Sequence, residues 1–263
     1  MKGPLGKKLV VALVSVLILP LLPGCWGQKE VGDMSIMLGL GIDRLDSGQV
    51  RVTAQVVDPS AIGGGLGSGG TASGGGGGGQ AYLNHQSTGA NLEEAMAHFY
   101  EKPWRPMFVA HNSIVVFGEN YAKQGLDEAI DYFDRHKDFR RIQLFAIAQK
   151  CYALDVLKGS PGVEKVSART VRELIDHQVE RGASVRSIEL DVNNQILSPS
   201  HSPIVASVQV DEKQNLQVGG VGLFHGGQLI SFLNPQETRG LLWFLGEIRR
   251  TELSVPCTNS GGG

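Results

Sequence analysis

The chain is poor in cysteine, poor in aromatic residues and nearly balanced in charge, and each shortage excludes something. Three cysteines in 263 residues are too few for a small disulfide-stapled scaffold. With 24 Lys+Arg against 26 Asp+Glu, there is no basic excess of the kind a nucleic-acid partner needs. No uninterrupted apolar run reaches the roughly 20 residues of a comfortable membrane-spanning helix. Chemical signatures are missing too. No His-Glu-x-x-His occurs, no Gly-x-Ser-x-Gly elbow, and the seven histidines (positions 85, 98, 111, 136, 177, 201 and 225) never fall at metal-ligand spacing with a third ligand near. Gly39-x-Gly41 fails the dinucleotide fingerprint because Arg44 stands at its third position. The acidic pairs Glu93-Glu94 and Asp127-Glu128 sit where helices are expected to start, and there the macrodipole accounts for them. With no catalytic constellation, no cofactor and no metal site expected, binding or assembly becomes the leading class of function.

What is present begins with the leader. Lys2, Lys7 and Lys8 precede an apolar run over residues 9–22, broken by Ser15 and Pro20. This is the layout of an export signal. The run ends in Leu22-Pro23-Gly24-Cys25, which resembles the bacterial lipobox with a proline where a small residue is commoner. Cleavage between Gly24 and Cys25 would make Cys25 the first mature residue, and its thiol is the group that a diacylglyceryl transfer requires. Two or more acyl chains, at about 0.8 kcal/mol per buried methylene, anchor a protein stably where one does not. Without the leader's three lysines, 21 cations face 26 anions. Cys151 and Cys257 remain and are read as unpaired.

Hydrophobic periodicity organises the rest. "GDMSIMLGLGID" reads as a buried strand ending at Asp43. "GQVRVTAQVVD" alternates, with Val50, Val52, Ala54 and Val56 on one face and Arg51, Thr53 and Gln55 on the other, so it reads as a half-buried strand completing a hairpin. Residues 63–79 contain twelve glycines in seventeen positions, a flexible loop with no Lys-Ser/Thr behind it to hold phosphate. Helices are expected in "NLEEAMAHFYEK" (Asn91 and Glu94 forming a capping box), "GLDEAIDYFDRH" and "SARTVRELIDHQVER", with strands at "HNSIVVFGE" and "RIQLFAIAQK". Residues 198–203 read as a break. Beyond it come "PIVASVQV", "LQVGGVGLFHGGQLISFL", the helix "NPQETRGLLWFLGEIRR" capped by Asn234 and Glu237, and a last strand "TELSVPC". Trp243 is expected in the core, and Trp104, between prolines, as a contact residue. The fold class is α+β: a mixed β-sheet packed with amphipathic helices.

The ordered set of segments resembles the Ger(x)C lipoproteins, the C subunits of bacterial spore nutrient-germinant receptors. In "GCWGQKEVGDMSIMLGLGID", the residues that fit are Cys25, Trp26, Glu30, Gly41, Ile42 and Asp43. Gly27 replaces the family's usual Asp, and Gln28-Lys29 its Arg-rich pair. "VTAQVVDPSAIGGG", "STGANLEEA", "VVFGENYAKQGLDEAIDYFDR" and "NPQETRGLLWFLGEI" continue the likeness along the mature chain. Members of the family run on through a further C-terminal mixed α/β region. The resemblance therefore implies a signal peptide at 1–24, an N-terminal domain at 25–200 and the beginning of a second domain at 201–263, less stable than what precedes it. It implies a non-enzymatic lipoprotein on the outer face of the spore inner membrane, with an integral-membrane A subunit and a transporter-like B subunit as partners. A solute-binding lipoprotein of a transporter is the alternative.

Overall fold

The structure, a computed structural model, describes residues 13, 35–57, 82–101, 107–160, 164, 166–198 and 200–248. The leader, Cys25, Trp26, Glu30, the glycine run at 63–79, Trp104, Cys257 and the expected strand "TELSVPC" all lie outside them.

Alternating apolar runs and amphipathic segments build one mixed sheet. The apolar run of the expected hairpin forms β1 (Ser35–Arg44), which pairs antiparallel with β2 (Val50–Val57) in the register Ile42↔Val52 and Asp43↔Arg51. β3 (Tyr82–Gly89) pairs antiparallel with β2 along its whole length. β4 (Met107–Phe108) lies beside the start of β1, followed by a 3-10 turn at Val109–His111. β5 (Ile114–Gly118), β6 (Leu144–Ala148) and β7 (Ile204–Val210) continue from β1 in parallel. β8 (Leu216–His225) and β9 (Gln228–Leu233) complete the order β3-β2-β1-β5-β6-β7-β8-β9 with antiparallel pairs. The strands beyond residue 203 thus belong to the same sheet as those before residue 198.

Helices cover both faces. On one lie α1 (Leu92–Glu101), α2 (Glu119–Gln124), α3 (Asp127–Arg135) and Val192 of α6 (Glu189–Leu197), packed on Ile42, Val52, Phe117 and Phe145. On the other, α4 (Ala153–Lys158) and α5 (Ser167–Glu180) pack on Val116, Ala146 and Val208. α7 (Pro235–Leu245) opens with the expected capping box: Asn234 accepts from the N–H groups of Gln236 and Glu237, and Glu237 accepts from that of Asn234.

Two expectations need correction, and one strand is added to them. β2 is buried on both faces, because Thr53 and Gln55 are fully covered by α4 and α5 rather than by water. Regular structure resumes at Tyr82, ahead of the first helix, in a polar strand whose only sequence cue is its pairing partner. Trp243 is not core but 56% exposed, beside exposed Phe244 and Leu245. α7 buries Thr238 and Leu242, and the next residue on, about 100° around the helix, points away.

Candidate functional site

The residues 41–43 singled out by the sequence form a structural junction. Asp43 ends β1 with its carboxylate fully buried. Its Oδ1 accepts from the Ala153 N–H at 2.6 Å, and its Oδ2 accepts from the Leu154 N–H at 3.2 Å and from Arg51 Nη2 at 2.8 Å. Asp43 is therefore the anion that satisfies the first turn of α4. Arg51, its direct cross-strand partner, lies over the Tyr152 ring at 4.9 Å from the centroid. Burial pushes the Asp43 carboxyl above its ordinary range, and the Arg51 and backbone donors offset this only in part.

The neighbours of Asp43 explain the glycines. A Cβ on Gly118 would lie 2.3 Å from Asp43 Oδ1, so only glycine in β5 leaves room for the carboxylate. A Cβ on Gly41 would crowd Leu157 and Ala153 at 3.1 and 3.2 Å, and one on Gly39 would stand 2.6 Å from the Ala168 Cβ. Gly39 and Gly41 thus let α4 and α5 sit close on β1, while Ile42 faces the opposite core layer. The same sheet face holds a second socket. Gln55 donates to the Leu157 carbonyl at 2.6 Å and accepts from the Ala168 N–H at 2.8 Å, tying the end of α4 to the start of α5.

Above this junction opens a cleft of about 460 Å³. It lies at the carboxyl ends of the parallel strands β1, β5 and β6, where α2 leaves toward one face and α4 toward the other. That divergence is the usual origin of a ligand crevice in open α/β sheets. Arg44 at the end of β1, residues 118–120 at the β5–α2 junction, and residues 150–152 with Asp155 at the β6–α4 junction line it. Glu119 accepts from Lys123 Nζ at 2.6 Å and from the Lys150 N–H at 2.9 Å. Burial raises its carboxyl, but those bonds and the two lysine charges outweigh it and hold Glu119 below its usual range. Lys150 itself has φ +60°, a left-handed conformation uncommon for a side-chain-bearing residue. Cys151 is a free, half-buried thiol, pushed up to about 12 by burial and then by the charges of Asp155, Asp43 and Glu119. Among the described residues no group of three His, Cys, Asp or Glu side chains could hold a metal.

Residues 27–210 match the family model described as "Spore germination protein N-terminal domain", and residues 219–263 the one described as "Spore germination B3/ GerAC like, C-terminal". The chain belongs to the Ger(x)C family of spore germination proteins. Among its relatives in Bacillus subtilis (strain 168), spore germination protein KC is 28% identical over 268 residues, covering 95% of this chain and 65% of that protein. The putative spore germination protein YfkR is 24% identical over 260 residues, covering 97% and 66%. Spore germination protein B3 is 24% identical over 243 residues, covering 90% and 61%. The chain thus spans just under two thirds of the length of these relatives. No solved structure matches it significantly.

Within that family frame, the structure brings Gly41, Ile42 and Asp43 together as a junction between sheet and helices. Gly24, Cys25, Trp26 and Glu30 lie outside the described residues. The cleft residues escape sequence reasoning because they come from three distant segments. Their one signal is position: Arg44, residues 118–120 and residues 150–152 each lie at or just beyond the end of an apolar strand.

Proposed function

We propose that this chain is a lipid-anchored subunit of a spore nutrient-germinant receptor, acting by assembly rather than catalysis. The observation that carries the reading is the match of residues 27–210 to the germination-protein domain, joined to relatives that are themselves named spore germination proteins. The leader supplies the location: Leu22-Pro23-Gly24-Cys25 has the layout for cleavage after Gly24 and lipidation of Cys25. On this reading the tethered chain sits on the outer face of the spore inner membrane and meets an integral-membrane A subunit and a transporter-like B subunit. The germination-protein match favours it over a solute-binding lipoprotein of a transporter.

The test uses spores lacking the gene, with dipicolinate release followed across a panel of nutrients and a non-nutrient trigger as control. The expected result is loss of the response to one nutrient class, restored by the wild-type gene and not by Cys25→Ala. Unchanged responses to every nutrient would overturn the reading.

A further inference from the structure

At the amino end of the parallel strands lie Ser35, where β1 begins, and the loop that leads from α3 into β6. That loop is built as two consecutive turns. The Phe139 N–H donates to the His136 carbonyl at 3.1 Å, and the Gln143 N–H to the Arg140 carbonyl at 3.2 Å. The Phe139 ring is buried against Phe133, with 5.0 Å between centroids, and Gln143 is buried in its bonds to Asn112 and Glu189. With residues 139 and 143 fixed inward, Arg140, Arg141 and Ile142 are left on the surface, and Ile142 is 61% exposed. α6 extends this surface, since the Leu190 N–H donates to the Arg141 carbonyl at 3.1 Å. Leu190 and Leu197 are 36% and 75% exposed and lie two turns apart on one side of α6. A single exposed aliphatic side chain needs no explanation; here a rigid turn and one helix side carry three.

The same loop holds positive charge that the chain as a whole lacks. Residues 135–141 contain Arg135, Lys137, Arg140 and Arg141 against Asp138 alone. Arg135 pairs with Glu93 and Asp131, and Arg141 with Asp134. The charge of Asp138 acts on Tyr100 of α1. Asp191 follows Leu190 but lies about 100° around the helix from it. Lys137 and Arg140 are exposed and make no ion pair among the described residues.

We propose that this end of the sheet rests on an anionic bilayer, with Lys137 and Arg140 at the headgroups and Ile142, Leu190 and Leu197 at the apolar boundary. Basic and aliphatic side chains together are what the membrane interface takes up, and each Lys or Arg near an anionic surface strengthens binding about fivefold. The inference rests on the lipid-anchor reading. From Cys25 to Ser35 the chain has ten residue steps, at most about 35 Å of reach, and it enters the sheet at this end. The β1–β2 turn at Asp46–Gln49 lies at the opposite end of β1, about 30 Å away.

The test floats the full-length chain with vesicles of phosphatidylcholine, alone or mixed with phosphatidylglycerol, and follows hydrogen exchange by peptide mass spectrometry. Flotation, lost in Cys25→Ala, reports the anchor; exchange of residues 137–142 reports the docked face. On the phosphatidylglycerol vesicles this peptide should exchange at least about fivefold more slowly than on phosphatidylcholine, with the turn around Ser47 unchanged. High salt should remove the difference, because exposed charges are screened. Lys137→Glu with Arg140→Glu should abolish it while the chain still floats, and Ile142→Ser should reduce it. A chain that does not float would refute the anchor and the proposal together. A floating chain whose 137–142 peptide exchanges alike on both vesicles, or whose Ser47 turn is slowed as much, would overturn the proposal alone. So would slowing that appears on spore membranes and on neither vesicle, which would assign this face to a protein.

Discussion

Replacing Glu189 by glutamine should remove a pH dependence from the stability of the fold. Glu189 opens α6 and is 1% exposed. One oxygen accepts from Gln143 Nε2, whose own Oε1 accepts from Asn112 Nδ2 at 2.8 Å, while Glu189 Oε1 has no partner. Burial raises its carboxyl from the ordinary 4.5 to about 7. The Gln143 hydrogen bond works against this, Asp134 adds to it, and Arg141, paired to Asp134 at 2.7 Å, opposes it. Because the folded value is raised, the unfolded chain releases this proton first as pH climbs. The contribution is fully present below about 4.5, is lost progressively toward about 7 and stays lost above it. At about 1.4 kcal/mol per pH unit between the two values, the loss is about 3 kcal/mol. Glu189→Gln keeps the shape, keeps an acceptor for Gln143 and carries no charge. Urea unfolding of both proteins, followed by far-UV circular dichroism at mildly acidic and mildly alkaline pH, isolates the residue, since every other titrating group is shared. The variant should match wild type within about 1 kcal/mol in acid and exceed it by about 2–3 kcal/mol in alkali. A difference that does not change with pH would refute the reasoning.

Asp43→Asn should cost about 3–5 kcal/mol, because the amide sets a donor against Arg51 or a helix N–H and leaves the buried guanidinium unpaired; chemical denaturation checks it, and a loss under 1 kcal/mol would show that α4 needs no anion at its start. Gly39→Ala should cost about 1–3 kcal/mol through its 2.6 Å clash with the Ala168 Cβ. Ala168→Gly in the same chain should restore part of that, so the two changes together should cost less than their sum in a double-mutant cycle. Asn234→Ala should destabilise α7 by about 1 kcal/mol, seen as faster hydrogen exchange of the Gln236 and Glu237 amides, which lose their cap.

Much of the sheet was legible because its central strands are apolar runs and its longer helices are amphipathic. Leu126, Ile130 and Phe133 are buried as their spacing implies, and so are Val171 and Ile175. What escaped was whatever depends on a partner distant in sequence. β3 is polar, and only its ladder with β2 defines it. α4 spans six residues, too few for a period to show. α6 carries Asn193 and Asn194, and its start is set by Glu189 against Gln143. Asp43 was visible only through family likeness, since a lone aspartate ending a strand says nothing about the helix it caps 110 residues later.

The misreading of β2 has the same physical source and says the most about how this fold holds together. Alternation of Val with Arg51, Thr53 and Gln55 normally marks one apolar face and one wet face. Here the polar face meets helix ends instead of water. A helix terminus presents several unpaired N–H or C=O groups, so a sheet that carries short helices on its face needs polar sockets at those positions. Asp43 fills the socket at the start of α4, and Gln55 serves the end of α4 and the start of α5 together. The glycines at 39, 41 and 118 belong to the same device, since each removes a Cβ that would keep a helix or the Asp43 carboxylate from its seat. The Gly41-Ile42-Asp43 segment is therefore explained by architecture, one residue for helix approach, one for the opposite core and one for the cap.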